Sequence, residues 1–391
     1  MSAMRILHIG KYYAPERGGI ERYTEALAEA CVGAGDAVGA LVHQRPGRWR
    51  GTTGHPGGVQ VRRAGCLAAP LYTPLSPAFP LELGRVLRAF RPDLLHLHFP
   101  NPSCFAVLAS PAARRLPWVV HWHADVPPDG PDWRLRAAYR LYRPFEQAVL
   151  RRSQRIVATS AAYQDASAAL RPWRDKVEVI PLGIGPESTQ PASPDPAPGW
   201  PDGAGLRLLA VGRLSHYKGF DVLLRALALH PQARLLLVGS GECEAALHAQ
   251  AAAPELRHRV SFAGNLDDDA LQAAYATADA FVLPSLDRSE AFGMVLLEAM
   301  RARLPVIATR IPGSGVGEVV ADGHSGLLAP PGDAVALARH IAALDDPRLR
   351  ATLGQAGFAR WQACYTLERS ASAWRDLYRR ILDGGATAAA G

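Results

Sequence analysis

Lysine is scarce in this chain of 391 residues. Of its 43 basic residues only three are lysines, Lys11, Lys176 and Lys218, so each lysine is a candidate for a specific task. Long apolar runs are also missing, because no stretch approaches the roughly 20 residues that a membrane-spanning helix needs. The first residues, which predict a strand and a glycine loop, lack the apolar core of a signal peptide. These absences predict a globular protein that works in the cytoplasm.

Cysteine is sparse as well. The five cysteines are scattered and never spaced as C-x-x-C, which favours free thiols in a reducing compartment over a disulfide framework. The dinucleotide-binding pattern G-x-G-x-x-G is missing after the first strand, so an NAD oxidoreductase is a distant alternative.

The net positive charge is confined to the first half of the chain. Residues 1–203 hold 24 basic and 17 acidic side chains, whereas residues 204–391 hold 19 of each. Seven arginines share one stretch with a single acid, Glu146; they are Arg134, Arg136, Arg140, Arg143, Arg151, Arg152 and Arg155. Such a cluster favours an anionic partner, either a membrane surface or a phosphorylated substrate. A solvated arginine-rich helix face is the alternative.

Short apolar runs alternate with longer segments of helical period, which is typical of βαβ units and a parallel sheet. The predicted strands are "RILHIG", "AVGALVH", "LLHLHF", "WVVHWH", "RIVATS" and "VEVIPL", and then "RLLAVGR", "ARLLLVGS", "RVSFAG", "DAFVLPS" and "LPVIAT". The pattern predicts an α/β fold of two doubly wound, Rossmann-like domains, which bind ligands where their strands end.

The domain limits follow from composition. A stretch dense in Pro, Gly and Ser predicts a linker over residues 186–204, between a first domain at 1–185 and a second at 205–365. Residues 366–382 are predicted to form a helix with one apolar stripe, made by Trp374, Leu377 and Ile381. The tail beyond it is predicted to fray.

A glycine pair follows the first predicted strand, in "ERGGIERY". Gly18 and Gly19 allow close backbone approach at a helix amino terminus, which suits an anion. A tight strand-to-helix turn is the alternative explanation.

Histidines alternate on two strands of the first domain. His96 and His98 share a face in "LLHLHF", as do His121 and His123 in "VVHWHADV". No further ligands follow at a metal-binding spacing, so packing is favoured over metal. His123, at the strand end, is expected to line the ligand site.

Two cations follow the first strand of the second domain, in "VGRLSHYKGF". Arg213 and Lys218 at a strand's carboxyl end suit a diphosphate, because a guanidinium and an ammonium stabilise charge growing on a leaving group. The alternative is that Arg213 and Lys218 are surface cations that bind no diphosphate. Farther on, Asp267, Asp268 and Asp269 open a helical pattern, which favours a helix cap over a metal site.

The segment "EAFGMVLLE" joins a predicted strand to a helix. Glu290 is expected at the helix entrance, where its carboxylate would accept sugar hydroxyls beside the amides of a four-residue stretch: Ala291, Phe292, Gly293 and Met294. Glu298 lies eight residues later, about 80° away from Glu290 around the helix axis, and suits a ribose diol. The alternative is that Glu290 is an acid favoured by the helix dipole and Glu298 a half-exposed helix glutamate, neither of them binding a ligand.

Taken together, these motifs resemble the family 4 retaining glycosyltransferases of the GT-B fold. "GGIE", "HWHAD", "VGRLSHYKGFDVLLRAL", "LLLVGSGE", "VSFAGNLDDDAL", "ADAFVLPS", "PVIAT" and "DGHSGLLAPPGD" occur in that family's order, and "EAFGMVLLE" matches its E-x7-E motif. The chain departs from the family in "PLGIG", where Gly185 replaces a frequent acid.

The resemblance implies two Rossmann-like domains facing across a cleft, with the sugar nucleotide on the second and the acceptor on the first. It also implies that the terminal helix, residues 366–382, packs back on the first domain. It implies that Arg213 and Lys218 neutralise the diphosphate and that Glu290 binds the sugar. It further implies donor contacts for His123 near the anomeric carbon, for Gly18 and Gly19 at the phosphates, for Leu266 at the base, for Glu298 at the ribose, and for Ala291, Phe292, Gly293 and Met294 through their backbone. No metal or other cofactor is expected.

The resemblance to bacterial mannosyl- and rhamnosyltransferases implies a hexose from a GDP-linked donor and a glycan or lipid-linked acceptor in polysaccharide or lipopolysaccharide assembly. UDP-glucose or UDP-N-acetylglucosamine is the main rival donor. Two rival functions are a sugar-nucleotide epimerase of the same fold and a non-catalytic sugar-nucleotide-binding partner. The basic first domain would rest on the anionic inner face of the membrane, and no nucleic acid partner is expected.

Overall fold

The computed structural model describes residues 3–16, 18–70, 73–126, 133–186 and 199–389. The chain divides into two compact units, the first made of residues 1–183 with 367–391 and the second of residues 184–366. Most of the predicted linker, residues 187–198, lies outside the described residues.

The first unit contains an eight-stranded sheet. Its strands are β1 Arg5–Ile9, β2 Ala37–His43, β3 Thr52–Gly54, β4 Gln60–Ala64, β5 Leu94–Phe99, β6 Trp118–Trp122, β7 Arg155–Ala158 and β8 Val177–Val179. They lie in the order β3-β4-β2-β1-β5-β6-β7-β8, and only the β3–β4 pair is antiparallel. The helices are α1 Gly19–Gly33, α2 Phe79–Phe90, α3 Ala106–Ala109, α4 Pro111–Arg114, α5 Trp133–Arg152 and α6 Ala161–Ala166.

The second unit contains a six-stranded parallel sheet. Its strands are β9 Leu206–Val211, β10 Ala233–Val238, β11 Val260–Gly264, β12 Ala280–Leu283, β13 Val306–Thr309 and β14 Leu327–Ala329. They lie in the order β11-β10-β9-β12-β13-β14. The helices are α7 Phe220–Leu229, α8 Glu244–Ala251, α9 Asp268–Thr277, α10 Met294–Arg301, α11 Val316–Val319, α12 Ala334–Ala343 and α13 Pro347–Cys364.

All eleven predicted strands are present. Nine of them are mostly buried, as continuous apolar runs predict, whereas β8 and β11 lie at sheet edges and are mostly half-buried. Three strands were not predicted. β3 and β4 form an edge, where "TTG" and "QVRRA" carry few apolar residues, and β14 has only three residues. These three segments lack an apolar run long enough to predict a strand.

The last helix, α14 (Leu367–Ala389), belongs to the first unit. Its predicted stripe is buried, since Trp374 and Leu377 are fully covered and Ile381 is 8% exposed. The Trp374 indole donates a hydrogen bond to the Tyr23 hydroxyl of α1 at 3.0 Å. The prediction of a tail that frays after residue 382 was wrong, because the alanine-rich sequence continues the helix to Ala389.

The cysteines are free thiols, as predicted. Cys31, Cys66 and Cys104 are buried, Cys243 is half-buried and Cys364 is exposed.

Candidate active site

The second unit has a topological switch point between β9 and β12. The chain moves outward from β9 through β10 to β11 and then returns to the other side of β9 as β12, so the loops after β9 and β12 diverge around a shared gap. Lys218 lies in the loop after β9, and Glu290 lies in the loop after β12. The fold therefore brings together two predicted site residues that are 72 positions apart in sequence.

Lys218 is held against the end of β12 by the glycine that follows it. Gly219 has φ 65°, and a Cβ there would lie 2.2 Å from the carbonyl oxygen of Pro284. The amide of Leu286 donates to the Tyr217 carbonyl at 2.7 Å. A residue other than glycine would push this loop away from β12.

Lys218 and Glu290 form a buried ion pair. Lys218 Nζ donates to Glu290 Oε2 at 2.6 Å, and the side chains are 8% and 10% exposed. The Ser285 hydroxyl donates to the same oxygen at 2.9 Å. Burial lowers the pKa of Lys218, but the charge and hydrogen bond of Glu290 together with Tyr217 outweigh that effect, so the pKa lies above its ordinary value. The lysine is therefore a permanent cation at neutral pH.

The segment after Glu290 leads into α10. Ala291 and Phe292 precede Gly293, which has φ 84°, and α10 begins at Met294. A Cβ on Gly293 would lie 2.8 Å from the Leu296 side chain, so this turn requires glycine. The first amides of α10 have no acceptor within the helix and are available to a ligand.

The angle predicted between the two glutamates was wrong. Glu290 lies four residues before α10 in a non-helical turn, where its amide donates to the Asp287 carbonyl at 3.1 Å. Glu290 and Glu298 therefore share no helix axis, and the predicted angle of about 80° between them does not apply. Glu298 lies within α10, is half-buried and accepts a hydrogen bond from the Tyr275 hydroxyl at 2.8 Å.

Arg213 is exposed, close enough to oppose the protonation of Lys218 electrostatically. Leu266 is half-buried just after β11, two strands from β9. The carboxylate of Asp267 accepts a hydrogen bond from the Ala270 amide at 2.9 Å. The prediction that Asp267 caps a helix is therefore confirmed.

Gly18 and Gly19 lie at the start of α1 in the first unit. A Cβ on Gly18 would lie 2.1 Å from a carboxylate oxygen of Glu21, in the first turn of the same helix. Glu21 thus supplies a negative charge at this helix terminus. Phosphate binding by the two glycines stays a prediction, and any anion there has to contend with this carboxylate.

His123 follows β6 and is buried, with its amide bonded to the Phe99 carbonyl at 3.0 Å. Four more buried histidines surround it: His8 on β1, His96 and His98 on β5, and His121 on β6. His98 Nδ1 lies 3.0 Å from His123 Nε2, and His98 Nε2 lies 3.0 Å from His8 Nδ1. Burial lowers the pKa of His123 to about 3, so the ring is neutral at physiological pH.

Two groups of three histidines have the composition of a metal site. His8, His96 and His98 form one group, and His98, His121 and His123 form the other, each with ring nitrogens within 4.8 Å of one another. Metal ligands must aim their lone pairs at one common point. The 3.0 Å contacts instead aim the nitrogens of His98 at those of His8 and His123. The expectation that no metal is needed stays a prediction.

Three contacts at these sites were not predicted. Ser285 and Tyr275 supply hydroxyl donors to Glu290 and Glu298, and His8 joins the histidine cluster from β1. The position of Ser285 at the end of a predicted strand was the one available signal. The other two contacts depend on strand and helix order.

A cavity of about 390 Å³ lies at the opposite, amino ends of β9 and β12, where Gly205, Asp279 and Arg350 contribute to its lining. Because parallel sheets of this kind bind ligands at their carboxyl ends, and because Lys218 and Glu290 lie there, this cavity is not the candidate site.

Comparison with known proteins identifies the family. The profile of "Glycosyl transferases group 1" matches residues 201–360, and that of "Glycosyl transferase 4-like domain" matches residues 18–183. The D-rhamnosyltransferase WbpZ of Pseudomonas aeruginosa is 33% identical over 374 residues, covering 93% of this chain and 92% of that protein. The O-antigen chain mannosyltransferase C of Escherichia coli is 29% identical over 387 residues, covering 97% and 99%.

Solved structures show the same fold. The sucrose-phosphate synthase of Thermosynechococcus elongatus superposes with a TM-score of 0.75 at 26% identity, covering 97% of this chain and 99% of that one. Anabaena Alr3699/HepE, solved in complex with UDP, has a TM-score of 0.73 at 21% identity, with 96% and 100% covered. The paired Rossmann-like units, the ordered motifs and these relatives agree: the chain is a hexosyltransferase of the GT-B fold and belongs to the group 1, family 4-type glycosyltransferases.

Proposed function

We propose that this enzyme transfers mannose or a similar hexose, with retention of anomeric configuration, from a GDP-linked donor to a glycan or lipid-linked acceptor in cell-surface polysaccharide assembly. The observation that carries the proposal is the buried Lys218–Glu290 pair at the switch point of the second unit. Two relatives that match nearly the whole chain, the rhamnosyltransferase and the mannosyltransferase, support the choice of sugar and of assembly process.

The ion pair suits a departing diphosphate. An ammonium has three donors, and Glu290 accepts one of them, so two remain for phosphate oxygens. The raised pKa keeps the charge in place through the reaction. Arg213 adds a second cation nearby, and together they stabilise negative charge that grows as the glycosidic bond to the donor breaks.

Glu290 has a second oxygen for the sugar. Oε2 is occupied by Lys218 and Ser285, whereas Oε1 accepts no hydrogen bond within the described part of the chain. A carboxylate oxygen held in this way accepts a hydroxyl of the hexose. Glu298, already oriented by Tyr275, is proposed to accept the ribose hydroxyls, and no metal or cofactor takes part in the proposed reaction.

Thermal unfolding with GDP, UDP and their sugars tests the donor. A ligand at 100 times its dissociation constant adds roughly 2.7 kcal/mol to the free energy of unfolding. We expect GDP and GDP-mannose to raise Tm, and UDP-glucose to raise it little. The reverse order would replace the GDP-linked donor by a UDP-linked one while leaving the transfer reaction intact.

Product analysis tests the reaction itself. The purified enzyme is incubated with the stabilising donor and with membrane extract as the acceptor source, and the product is analysed by proton NMR. We expect an acceptor glycoside with the anomeric configuration of the donor. An inverted glycoside would refute retention, an isomerised free donor would indicate an epimerase, and donor binding without any conversion would indicate a non-catalytic partner.

Helix α5 is proposed to rest on the anionic inner face of the membrane. Arg136, Arg140 and Arg143 follow one another at four- and three-residue spacing, so they form one exposed stripe. Large apolar side chains are exposed beside them, with Leu141 at 76% and Phe145 at 53%. Basic and apolar stripes side by side suit the interface of an anionic bilayer, to which each arginine adds about 1 kcal/mol. In the described part of the chain, every helix is too short or too polar to cross a bilayer.

Vesicle sedimentation tests this surface. We expect binding to vesicles of phosphatidylserine and phosphatidylcholine, release by salt, and weak binding to phosphatidylcholine alone. The triple variant Arg136→Gln, Arg140→Gln, Arg143→Gln should bind at least tenfold more weakly. Its control is the charge-matched triple Arg257→Gln, Arg339→Gln, Arg348→Gln, which changes exposed arginines of the second unit. Equal binding by the two triples would refute the proposed surface.

A further inference from the structure

Three histidines of the first unit are joined in line. His98 and His123 have ring planes 7° apart and centroids 5.3 Å apart, while their nearest nitrogens are 3.0 Å apart. His8 and His98 show the same centroid and nitrogen distances, with planes 26° apart. In both pairs the centroid distance exceeds the nitrogen distance by about the sum of the two ring radii. The rings therefore meet edge to edge as hydrogen-bonded neighbours.

Each neutral imidazole carries one proton, so the chain has two possible directions. In one direction Nδ1 of all three rings carries the proton. His98 then donates to His123 and accepts from His8. In the other direction Nε2 of all three rings carries the proton, and the donor and acceptor roles are exchanged.

Thr24 distinguishes the two directions. Its hydroxyl donates to the Ile20 carbonyl at 2.8 Å, so only lone pairs of Oγ1 face His98 Nδ1, which lies 3.4 Å away. A proton on His98 Nδ1 is attracted by that oxygen, whereas a lone pair there would be repelled by it. His98 therefore donates from Nδ1 to His123 Nε2.

The direction indicated by Thr24 determines which end of the chain carries an unpaired N–H. His8 Nε2 and His123 Nδ1 are both buried, and neither has a hydrogen-bond partner among the described residues. With the protons on Nδ1, the deep end at His8 keeps only a lone pair, and the unpaired N–H is at His123, after the end of β6. A buried N–H without an acceptor costs about 1–3 kcal/mol, and a ligand oxygen would remove that cost.

We propose that His98, supported by His8, is a positioning residue that fixes His123 as the neutral Nδ1–H tautomer, so that His123 offers an N–H donor to a ligand oxygen and does not act as a base. The tautomer follows from the first unit alone, whereas its use in binding rests on the proposed function. His98 touches no reacting atom and acts through His123.

Nitrogen-15 NMR of the ligand-free, full-length enzyme tests the tautomer. Long-range proton–nitrogen correlations distinguish the Nδ1–H, Nε2–H and doubly protonated forms, and a His123→Gln spectrum assigns the His123 signals. At pH 7 we expect a proton on Nδ1 of His123 and a lone pair on Nε2. A proton on Nε2, or on both nitrogens, would overturn the proposal, whatever the donor sugar proves to be.

Two substitutions of His98 test whether it fixes the tautomer of His123. Asparagine reproduces the Nδ1 position of histidine, so His98→Asn keeps a donor toward His123. Glutamine reproduces the Nε2 position, so His98→Gln removes it. We expect His123 to remain Nδ1–H in His98→Asn and to lose that preference in His98→Gln, with kcat reduced about 100-fold only in the latter.

Each kinetic outcome has a distinct meaning. Equal kcat losses in the two variants, with unchanged His123 signals in both, would show that His98 serves packing alone and would overturn the positioning role. An enzyme that transfers no hexose at all would refute the proposed function, while the ligand-free spectrum would still decide the tautomer.

Discussion

The two units bury polar groups at equivalent places by opposite means. Both sheets reverse their strand order once, at β1–β5 in the first unit and at β9–β12 in the second. The first unit places neutral histidines there, and burial keeps them uncharged. The second unit places a full positive and a full negative charge, 2.6 Å apart. Neutral rings avoid the cost of desolvating a charge, whereas the ion pair offsets that cost and keeps a cation ready for an anionic ligand.

Breaking the ion pair should have the largest effect. We expect Lys218→Ala and Glu290→Ala each to lower kcat about 100-fold or more, because each removes charge stabilisation of the leaving group or of the sugar. Each also leaves an unpaired buried charge and should lower the free energy of unfolding by about 3–5 kcal/mol. Steady-state kinetics and urea unfolding measure the two effects.

A double variant separates these two losses. Lys218→Met with Glu290→Leu removes both charges and should recover most of the stability and none of the activity. Lys176→Ala, which changes a lysine of the first unit, is the control for loss of positive charge. Near-normal turnover in both single variants would refute the assigned site.

Glu146 is a buried acid of the first unit whose ionisation falls near neutral pH. Its side chain is fully buried and accepts a hydrogen bond from the Tyr139 hydroxyl at 3.3 Å. Burial raises the pKa of Glu146 to about 7. Because this folded-state pKa exceeds the unfolded value, the contribution to stability is complete below about pH 4.5 and is lost as pH rises through 7. We expect a loss on the order of 2 kcal/mol between pH 5 and 8 in the wild type and little loss in Glu146→Gln.

Urea unfolding across that pH range measures this difference, with Glu368→Gln, at an exposed glutamate, as the control. Parallel pH profiles for the wild type and Glu146→Gln would show that Glu146 ionises normally.

Removing a neutral histidine should have a smaller effect of opposite sign. Both ring nitrogens of His121 are buried without a partner among the described residues. His121→Leu removes these polar atoms at similar volume, so we expect stability to rise by about 1 kcal/mol. Differential scanning calorimetry measures the change, with His324→Leu as an exposed control. A marked drop in Tm would mean that water or a metal ion bridges the ring nitrogens.

Chelation should have the smallest effect. We expect excess EDTA to leave kcat unchanged, because Lys218 and Arg213 supply the positive charge at the diphosphate. Loss of activity, restored by a divalent cation, would contradict this expectation. Repeating the assay with Asp267→Asn and His98→Asn would then show which unit holds the ion.

The strands were predictable because apolar runs of five or six residues report burial directly. The positions of Lys218 and Glu290 after strand ends were predictable for a related reason, since each residue follows such a run. Their mutual contact was not predictable, because it depends on β12 lying beside β9, and no local pattern records strand order. The error at Glu290, in contrast, had a local cause: the backbone turn at Gly293 delays the start of the helix until four residues after Glu290, although the sequence around it has helical character.

The return of α14 to the first unit has a consequence for synthesis. Trp374 stacks on His96 with centroids 4.4 Å apart, and the Tyr378 hydroxyl lies 2.6 Å from His96 Nδ1. These groups are synthesised after the whole second unit, at about 5–20 residues per second. For on the order of ten seconds or more, the nascent first unit therefore lacks the contacts of Trp374 and Tyr378 with His96. A message truncated before α14 would therefore release a protein whose first unit lacks the contacts of Trp374 and Tyr378 with His96.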